Sequence, residues 1–201
     1  MRFETFAPLA QFDFVTHAFT LRTEEDTKSE EFEGRVLQSL GFTASASAEQ
    51  PHGAGVAIVQ APTSPIPDVD ALATRRPNLA LVIRCADCAA VFVVDRATPA
   101  IALIHSGKKG TQANIVGNAI DTMHREFATV ARDCIAFISP SIGPCHYEMD
   151  IWSGVEAQLR DAGVREIHNP RTCTACHLDR YFSYRAEKGN TGRMFALLSL
   201  R

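Results

Sequence analysis

The sequence predicts one globular domain built from both strands and helices, with an antiparallel hairpin at its centre. Three observations predict it. The 201 residues are enough to bury a good core as one domain, 1–201, and contain no repeat, low-complexity tract or convincing linker. Three apolar runs, Leu79–Cys85, Ala89–Asp95 and Ala100–His105, follow one another closely, and the Ala97-Thr98-Pro99 turn between the last two favours an antiparallel pair. Downstream, Ile115, Ala119, Met123 and Phe127 recur with helical spacing, and Val116 and Ile120 widen the stripe.

Composition narrows the function classes. With 46% hydrophobic and 21% charged residues the chain is ordinary and globular, and a net charge of −3 without a basic run argues against a nucleic-acid binder that neutralises phosphates. The N-terminus carries Glu4 and no apolar signal core, and no stretch approaches the roughly 18 apolar residues of a membrane span. A cytoplasmic protein with no membrane partner is expected, its oligomeric state unread. The six cysteines are then thiols, available for metal or nucleophile chemistry before disulfides.

In chain order, Phe14–Leu21 reads as a strand and Arg22–Lys28 as a polar connection. A helix follows from about Ser29 to Leu40, with Thr27 and Glu30 spaced as a capping box, Phe32, Val36 and Leu40 on one face and Gly41 as its stop. Thr43–Gly53 is a small, polar segment containing His52; Gly55–Ala61 is a strand; Pro62–Pro67 is a Pro-rich connection leading past Asp70 to the central strands. After the hairpin, Gly107-Lys108-Lys109-Gly110 feeds a helix spanning Thr111–Phe127. That loop reads either as a turn needing two glycines or as an anion site at a helix start. Cys134–Ile142 is a strand, Asp150–Ala162 a helix stopped by Gly163, and Met194–Leu200 a last strand.

The hairpin puts Cys88 just before one strand and His105 at the end of its neighbour, so both side chains reach one sheet edge. They read as two metal ligands or as a nucleophile and its base, and His52 is the most suggestive third ligand. Three N/S ligands with one open position would make a catalytic zinc arrangement. Cys173-x-x-Cys176-His177 matches a c-type haem attachment pattern, but that chemistry needs export; two reduced cysteines packing on the segment Tyr181–Arg185 are favoured over half a zinc site. Arg185 and Arg193 flank Gly189–Gly192 as a solvated turn or a second anion contact, and His17 reads as a strand histidine with a local partner.

Eight short motifs in order resemble the YfiH-type family, also called multicopper polyphenol oxidase or laccase-domain proteins and regarded as zinc-dependent purine nucleoside phosphorylases. They are His17-Ala18-Phe19-Thr20-Leu21-Arg22, Pro51-His52-Gly53, Asp70-Ala71-Leu72-Ala73-Thr74, Ala86-Asp87-Cys88 and His105-Ser106-Gly107-Lys108-Lys109-Gly110. Ile142-Gly143-Pro144-Cys145-His146-Tyr147-Glu148, Phe182-Ser183-Tyr184-Arg185 and Thr191-Gly192-Arg193-Met194 complete the set.

The resemblance implies an α+β fold, with mixed or antiparallel sheets sandwiched by helices. It implies that His52, Cys88 and His105 hold one zinc per chain, with Cys88 and His105 acting in catalysis through the metal. It implies phosphorolysis of adenosine, inosine, guanosine and methylthioadenosine, with adenosine deamination alongside and phosphate as co-substrate. By motif match the phosphate contacts are Arg22 and Arg185, with Lys109 in the place of a family arginine. Copper is disfavoured, since a laccase needs several copper atoms and more histidines than the seven here.

This chain departs from the family pattern in three places. Lys108-Lys109 stands where the family has Trp-Arg, replacing one planar fork with two point charges. Thr23-Glu24-Glu25-Asp26 stands where a glycine-rich turn is usual, and the connection between Leu21 and His52 is short. Two other classes therefore stay open: a Cys-His hydrolase or deamidase using Cys88 and His105, and a non-catalytic, metal-stabilised binding module.

Overall fold

A computed structural model describes residues 1–201 apart from the side chain of Glu30. Its strands are β1 (Phe3–Glu4), β2 (Val15–Thr20), β3 (Ser45–Ala48), β4 (Val56–Ile58), β5 (Thr63–Ile66), β6 (Ala71–Thr74), β7 (Ala80–Cys85), β8 (Ala89–Asp95), β9 (Ala100–Ser106), β10 (Cys134–Ile138), β11 (Glu166–His168) and β12 (Met194–Leu200). The helices are α1 (Ala7–Ala10), α2 (Glu30–Ser39), α3 (Lys108–Gln112), α4 (Ile115–Phe127) and α5 (Ile151–Asp161).

The strands form two six-stranded sheets, ordered β1-β2-β12-β7-β3-β5 and β11-β10-β8-β9-β6-β4. Both are mixed: β3 runs parallel to β5 and β7, β4 to β6 and β11 to β10, while the remaining pairs are antiparallel. The pleat sorts each strand between two cores. In β8, Ala90, Phe92 and Val94 point into the layer between the sheets, where they meet Phe19, Leu81, Ile83 and Leu198 of the other sheet. Val91 and Val93 point the opposite way, under Ile115, Ile120, Val155 and Leu159 of α4 and α5. On the outer face of the other sheet α2 packs Phe32 and Val36 on Val82 and Phe195. The result is the α+β sandwich, with α2, α4 and α5 outside the two sheets and α1 plugging Leu9 into the layer between them. Central strands buried on both faces explain why their sequences are apolar without alternation.

Several local expectations are corrected. α2 is capped by Ser29, whose side chain accepts from Phe32 N at 3.2 Å, rather than by Thr27, whose hydroxyl instead accepts from Arg193 N at 2.6 Å. The Glu30 half of the expected capping box lies outside the described residues. The helix expected over Thr111–Phe127 is broken at Asn114, which takes a left-handed φ of 59° that asparagine tolerates. Gln158 of α5 bridges the break, accepting from Val116 N and donating to Thr111 O. β3, β5 and β6 form where only connections were expected. They are short, and β3 and β6 gain their partners from β7 and β9, far along the chain. The strand expected over Cys134–Ile142 ends at Ile138.

Candidate metal centre

The β8–β9 pairing aligns Ala89 with Ser106 and Ala90 with His105, so Cys88 emerges beside the His105–Gly107 end of the hairpin. Gly107 makes room for the sulfur: a Cβ there would lie 2.5 Å from Cys88 Sγ, closer than any real contact. His52 arrives from the other side, on the loop after β3, where Gln50 and His52 both adopt left-handed φ values of 67° and 66°. Such positions cost on the order of 1 kcal/mol each and need an external hold.

Asp70 supplies that hold. Fully buried at the start of β6, it accepts from His52 N at 3.0 Å through Oδ1 and from Gly53 N at 2.7 Å through Oδ2. Its Oδ1 also lies 2.8 Å from His105 Nδ1, and its carbonyl accepts from His105 N at 2.8 Å. A carboxylate in that position fixes the imidazole with Nδ1 protonated and leaves Nε2 free to face the sulfur. The two imidazoles stand edge to face, 4.9 Å apart at 83°. One donor atom from each of His52, Cys88 and His105 falls within 4.8 Å of the others.

The charges are coupled. Burial alone would push the Cys88 thiol up, but His105 and His52 outweigh it and bring it down to about 6. Burial likewise works against a charged His105, while the Cys88 thiolate and Asp70 raise it to about 9. Burial would raise Asp70 too, but its bonds to His105, Gly53 and His52 hold it below the usual carboxylate range. The group therefore favours a thiolate paired with an imidazolium; the thiolate is the form that ligates metals, and a metal would take the place of the second imidazole proton.

His52 and Cys88 are shared between two cavities. The larger, about 760 Å³, is also lined by Lys108, Lys109, Arg185 and Lys188, with Tyr147, Tyr184, Ile142 and Ile151 as its aromatic and apolar walls. The smaller, about 300 Å³, adds His105, Arg84 and Arg193. Of the sequence-selected anion contacts, Lys109 and Arg185 line the larger cavity. Arg22 lines neither. It sits in a separate surface depression with Glu24 and Glu25, bonded to Glu187 at 2.7 Å and stacked 4.8 Å from the Phe182 ring. The three carboxylates of the altered loop thus begin beside Arg22 and not at the Cys-His group.

Compared with known proteins, residues 20–150 and 146–201 match the family model of multi-copper polyphenol oxidoreductase laccase. The chain belongs to this family. Curated relatives include a purine nucleoside phosphorylase of Bacteroides thetaiotaomicron, 32% identical over 64% of this chain and 59% of its own length, and one of Streptomyces coelicolor, 33% identical over 72% and 70%. The chain thus spans less than two thirds of the Bacteroides relative. The crystal structure of YlmD from Geobacillus stearothermophilus has the same fold, with a TM-score of 0.91 over 99% of this chain and 98% of that one at 22% identity.

One thiolate and two imidazoles, with His105 oriented by Asp70, fit a divalent zinc ion with one position left for a ligand. The same set suits a single copper, but the multicopper chemistry that the family's name implies needs further histidines alongside. Among the described residues the only other metal-competent group is Cys145, His146, Cys173 and Cys176, which offers one histidine.

Sequence reasoning missed Asp70 and Asp87 as parts of the site. Asp70 is a carboxylate entering the apolar segment Ala71-Leu72-Ala73, a signal that could have marked it. Asp87, at φ 87°, accepts from Thr174 Oγ1 and from Arg185 N, both at 2.7 Å, and so ties the arginine-bearing loop beside Cys88. Its partners are about 90 residues away in sequence, beyond the reach of local patterns.

Proposed function

We propose that this chain is a zinc-dependent purine nucleoside phosphorylase of the cytoplasm, with adenosine deamination as a companion activity. The observation that carries the proposal is the convergence of His52, Cys88 and His105, the first two of which line a cavity whose walls combine basic side chains with two tyrosines. The names of the curated relatives support it, and the six free thiols suit a reducing compartment.

Phosphorolysis moves positive charge onto the ribose and negative charge onto the departing purine, so phosphate must be held in line with the breaking bond. Lys109 and Arg185 are the candidates for that hold, with Lys108 beside them. Glu148 links Lys108 at 3.0 Å and Arg185 at 3.4 Å and spaces the two cations across the mouth. Arg185 also lies over the Tyr147 ring at 4.6 Å, which orients its guanidinium. Tyr147 and Tyr184 offer faces for a flat purine. Asp70 keeps the His105 ring in one orientation throughout. A bound zinc ion supplies Lewis acidity and lowers the pKa of water, which is what deamination at C6 of adenine requires.

The chain Asp70–His105–Cys88 also has the order of a cysteine hydrolase triad, and that specific observation keeps the hydrolase as the second reading. Iodoacetamide separates the two: in metal-loaded protein the hydrolase predicts fast labelling of Cys88, the phosphorylase protection that a chelator removes.

The deciding assay incubates zinc-loaded protein with adenosine, inosine, guanosine or methylthioadenosine, with and without phosphate. Base, ribose 1-phosphate and ammonia are followed by chromatography. Phosphate-dependent base release that disappears in His105→Ala is the expected result. No turnover by folded, zinc-replete protein overturns the proposal.

A further inference from the structure

A second set of soft donors converges away from this centre. Cys145 and His146 follow the Ile142-Gly143-Pro144 turn after β10, and Cys173 and Cys176 flank Thr174 and Ala175 in a short 3-10 turn before β12. A parallel bridge joins the two connections: Ser141 N donates to Thr172 O and Thr174 N donates to Ser141 O, each at 3.1 Å. All four donor atoms lie within 4.8 Å of one another.

The separations have the size of a coordination polyhedron. Cys145 Sγ and Cys176 Sγ are 3.7 Å apart, and His146 Nδ1 lies 3.3 Å from Cys145 Sγ, 3.5 Å from Cys176 Sγ and 3.7 Å from Cys173 Sγ. With zinc–sulfur and zinc–nitrogen bonds of about 2.3 and 2.05 Å, a tetrahedron has sulfur–sulfur edges of about 3.8 Å and sulfur–nitrogen edges of about 3.6 Å. Gly143 N donates to Cys173 Sγ at 3.3 Å, a bond that strengthens when the sulfur is a thiolate. The three cysteines are free thiols.

We propose that Cys145, His146, Cys173 and Cys176 form a second, four-coordinate zinc site that is structural. Its four protein ligands close the tetrahedron and leave no position for water or substrate. The clamp joins two connections that carry part of the cavity wall. Thr174, between two of the ligands, donates to Asp87 beside Cys88, and His146 immediately precedes Tyr147 and Glu148. Zinc at the clamp thereby holds the wall against the hairpin.

The test starts from Cys88→Ala, which removes a ligand of the other site, purified under reducing conditions without added metal. Elemental analysis is expected to find about one zinc per chain, and the triple variant Cys88→Ala/Cys173→Ser/Cys176→Ser to find none. Wild-type protein reconstituted with cobalt(II) supplies a measurement independent of those variants: the cluster predicts a tetrahedral spectrum with charge-transfer intensity from three thiolates. Zinc-free, folded Cys88→Ala protein, unchanged zinc in the triple variant, or a cobalt spectrum of a single thiolate overturns the proposal. Metal content in the Cys88→Ala background reads this cluster alone, so its outcome is separate from that of the phosphorylase assay.

Discussion

His105 is 3% exposed and bonded to a carboxylate that is fully buried, whereas Cys145, His146 and Cys176 are exposed on loop backbone. The first group has three ligands set at the edge of a double sheet, and the second has four set in two crossing connections. The comparison separates two uses of the same chemistry. A reactive centre needs a rigid frame and an unfilled position: Cys88 and His105 sit at the ends of two paired strands, and Asp70 orients His105 and pins the exposed His52 loop by its backbone. A clamp needs only closure, and loops tied by a single bridge suffice.

The largest expected effect breaks the symmetry between the groups. Under the proposed function, Cys88→Ala should lower phosphorolysis by at least about 1,000-fold, because it removes a proposed metal ligand from the reacting centre. Cys176→Ser should leave the rate within roughly tenfold while lowering the melting temperature, since its effect reaches the cavity only through the wall. Steady-state rates and thermal melts on both variants check the pair. Equal losses of rate would erase the distinction.

Asp70→Asn comes next. An amide cannot accept all of the bonds that Asp70 takes from His52, Gly53 and His105, so metal retention or activity should fall about 10- to 100-fold. Competition with a chromophoric chelator reads the affinity directly. Retention unchanged from wild type would remove Asp70 from its orienting role.

Among the basic residues, Arg185→Ala and Lys109→Ala should raise the KM for phosphate about tenfold, which is the loss of one charge-assisted contact. Arg22→Ala should raise it less. Its guanidinium holds Glu187 down to about 2 and lines neither cavity, reaching the larger one indirectly through the Ser183–Glu187 turn among other contacts. A larger KM effect at Arg22 than at Arg185 would relocate the phosphate subsite.

A last effect belongs to neither group and sets the pH background for both. His17 is buried between the sheets, where desolvation lowers it to about 4; its Nε2 accepts from Phe6 N at 2.7 Å, a bond only the unprotonated nitrogen can take. The unfolded chain takes up this proton below about 6.5 while the folded chain resists until about 4. Stability from this residue is full above pH 6.5 and lost as the pH falls to 4, by about 3 kcal/mol. Urea unfolding of wild type and His17→Gln across that window should show the wild-type slope flattened in the variant.

Much of the frame was legible because its signals are local. The β8–β9 hairpin follows from two apolar runs and a short turn, and α5 from its periodicity, with Asp150 as cap and Gly163 as stop. The bringing together of Cys88 and His105 followed from that hairpin. Their meeting with His52 was a suggestion that chain order could not test, because the loop is placed by Asp70. The break at Asn114 was hidden because its stabilising partner, Gln158, belongs to another helix.

What the sequence by itself determined is the list of chemical participants: thiols, imidazoles and basic loops at the ends of apolar runs. These follow from residue type and from periods of a few residues. Only the tertiary structure decided which participants meet. It assigned Lys109 and Arg185 to the cavity and Arg22 to a brace on Glu187, and it joined Cys173 and Cys176 to Cys145 and His146 across 27 to 31 residues of chain. The physical reason is that ligand sets and ion pairs form wherever sheets and connections place side chains within a few ångströms. That placement is fixed by burying two cores at once, a condition on the whole chain that no local pattern records.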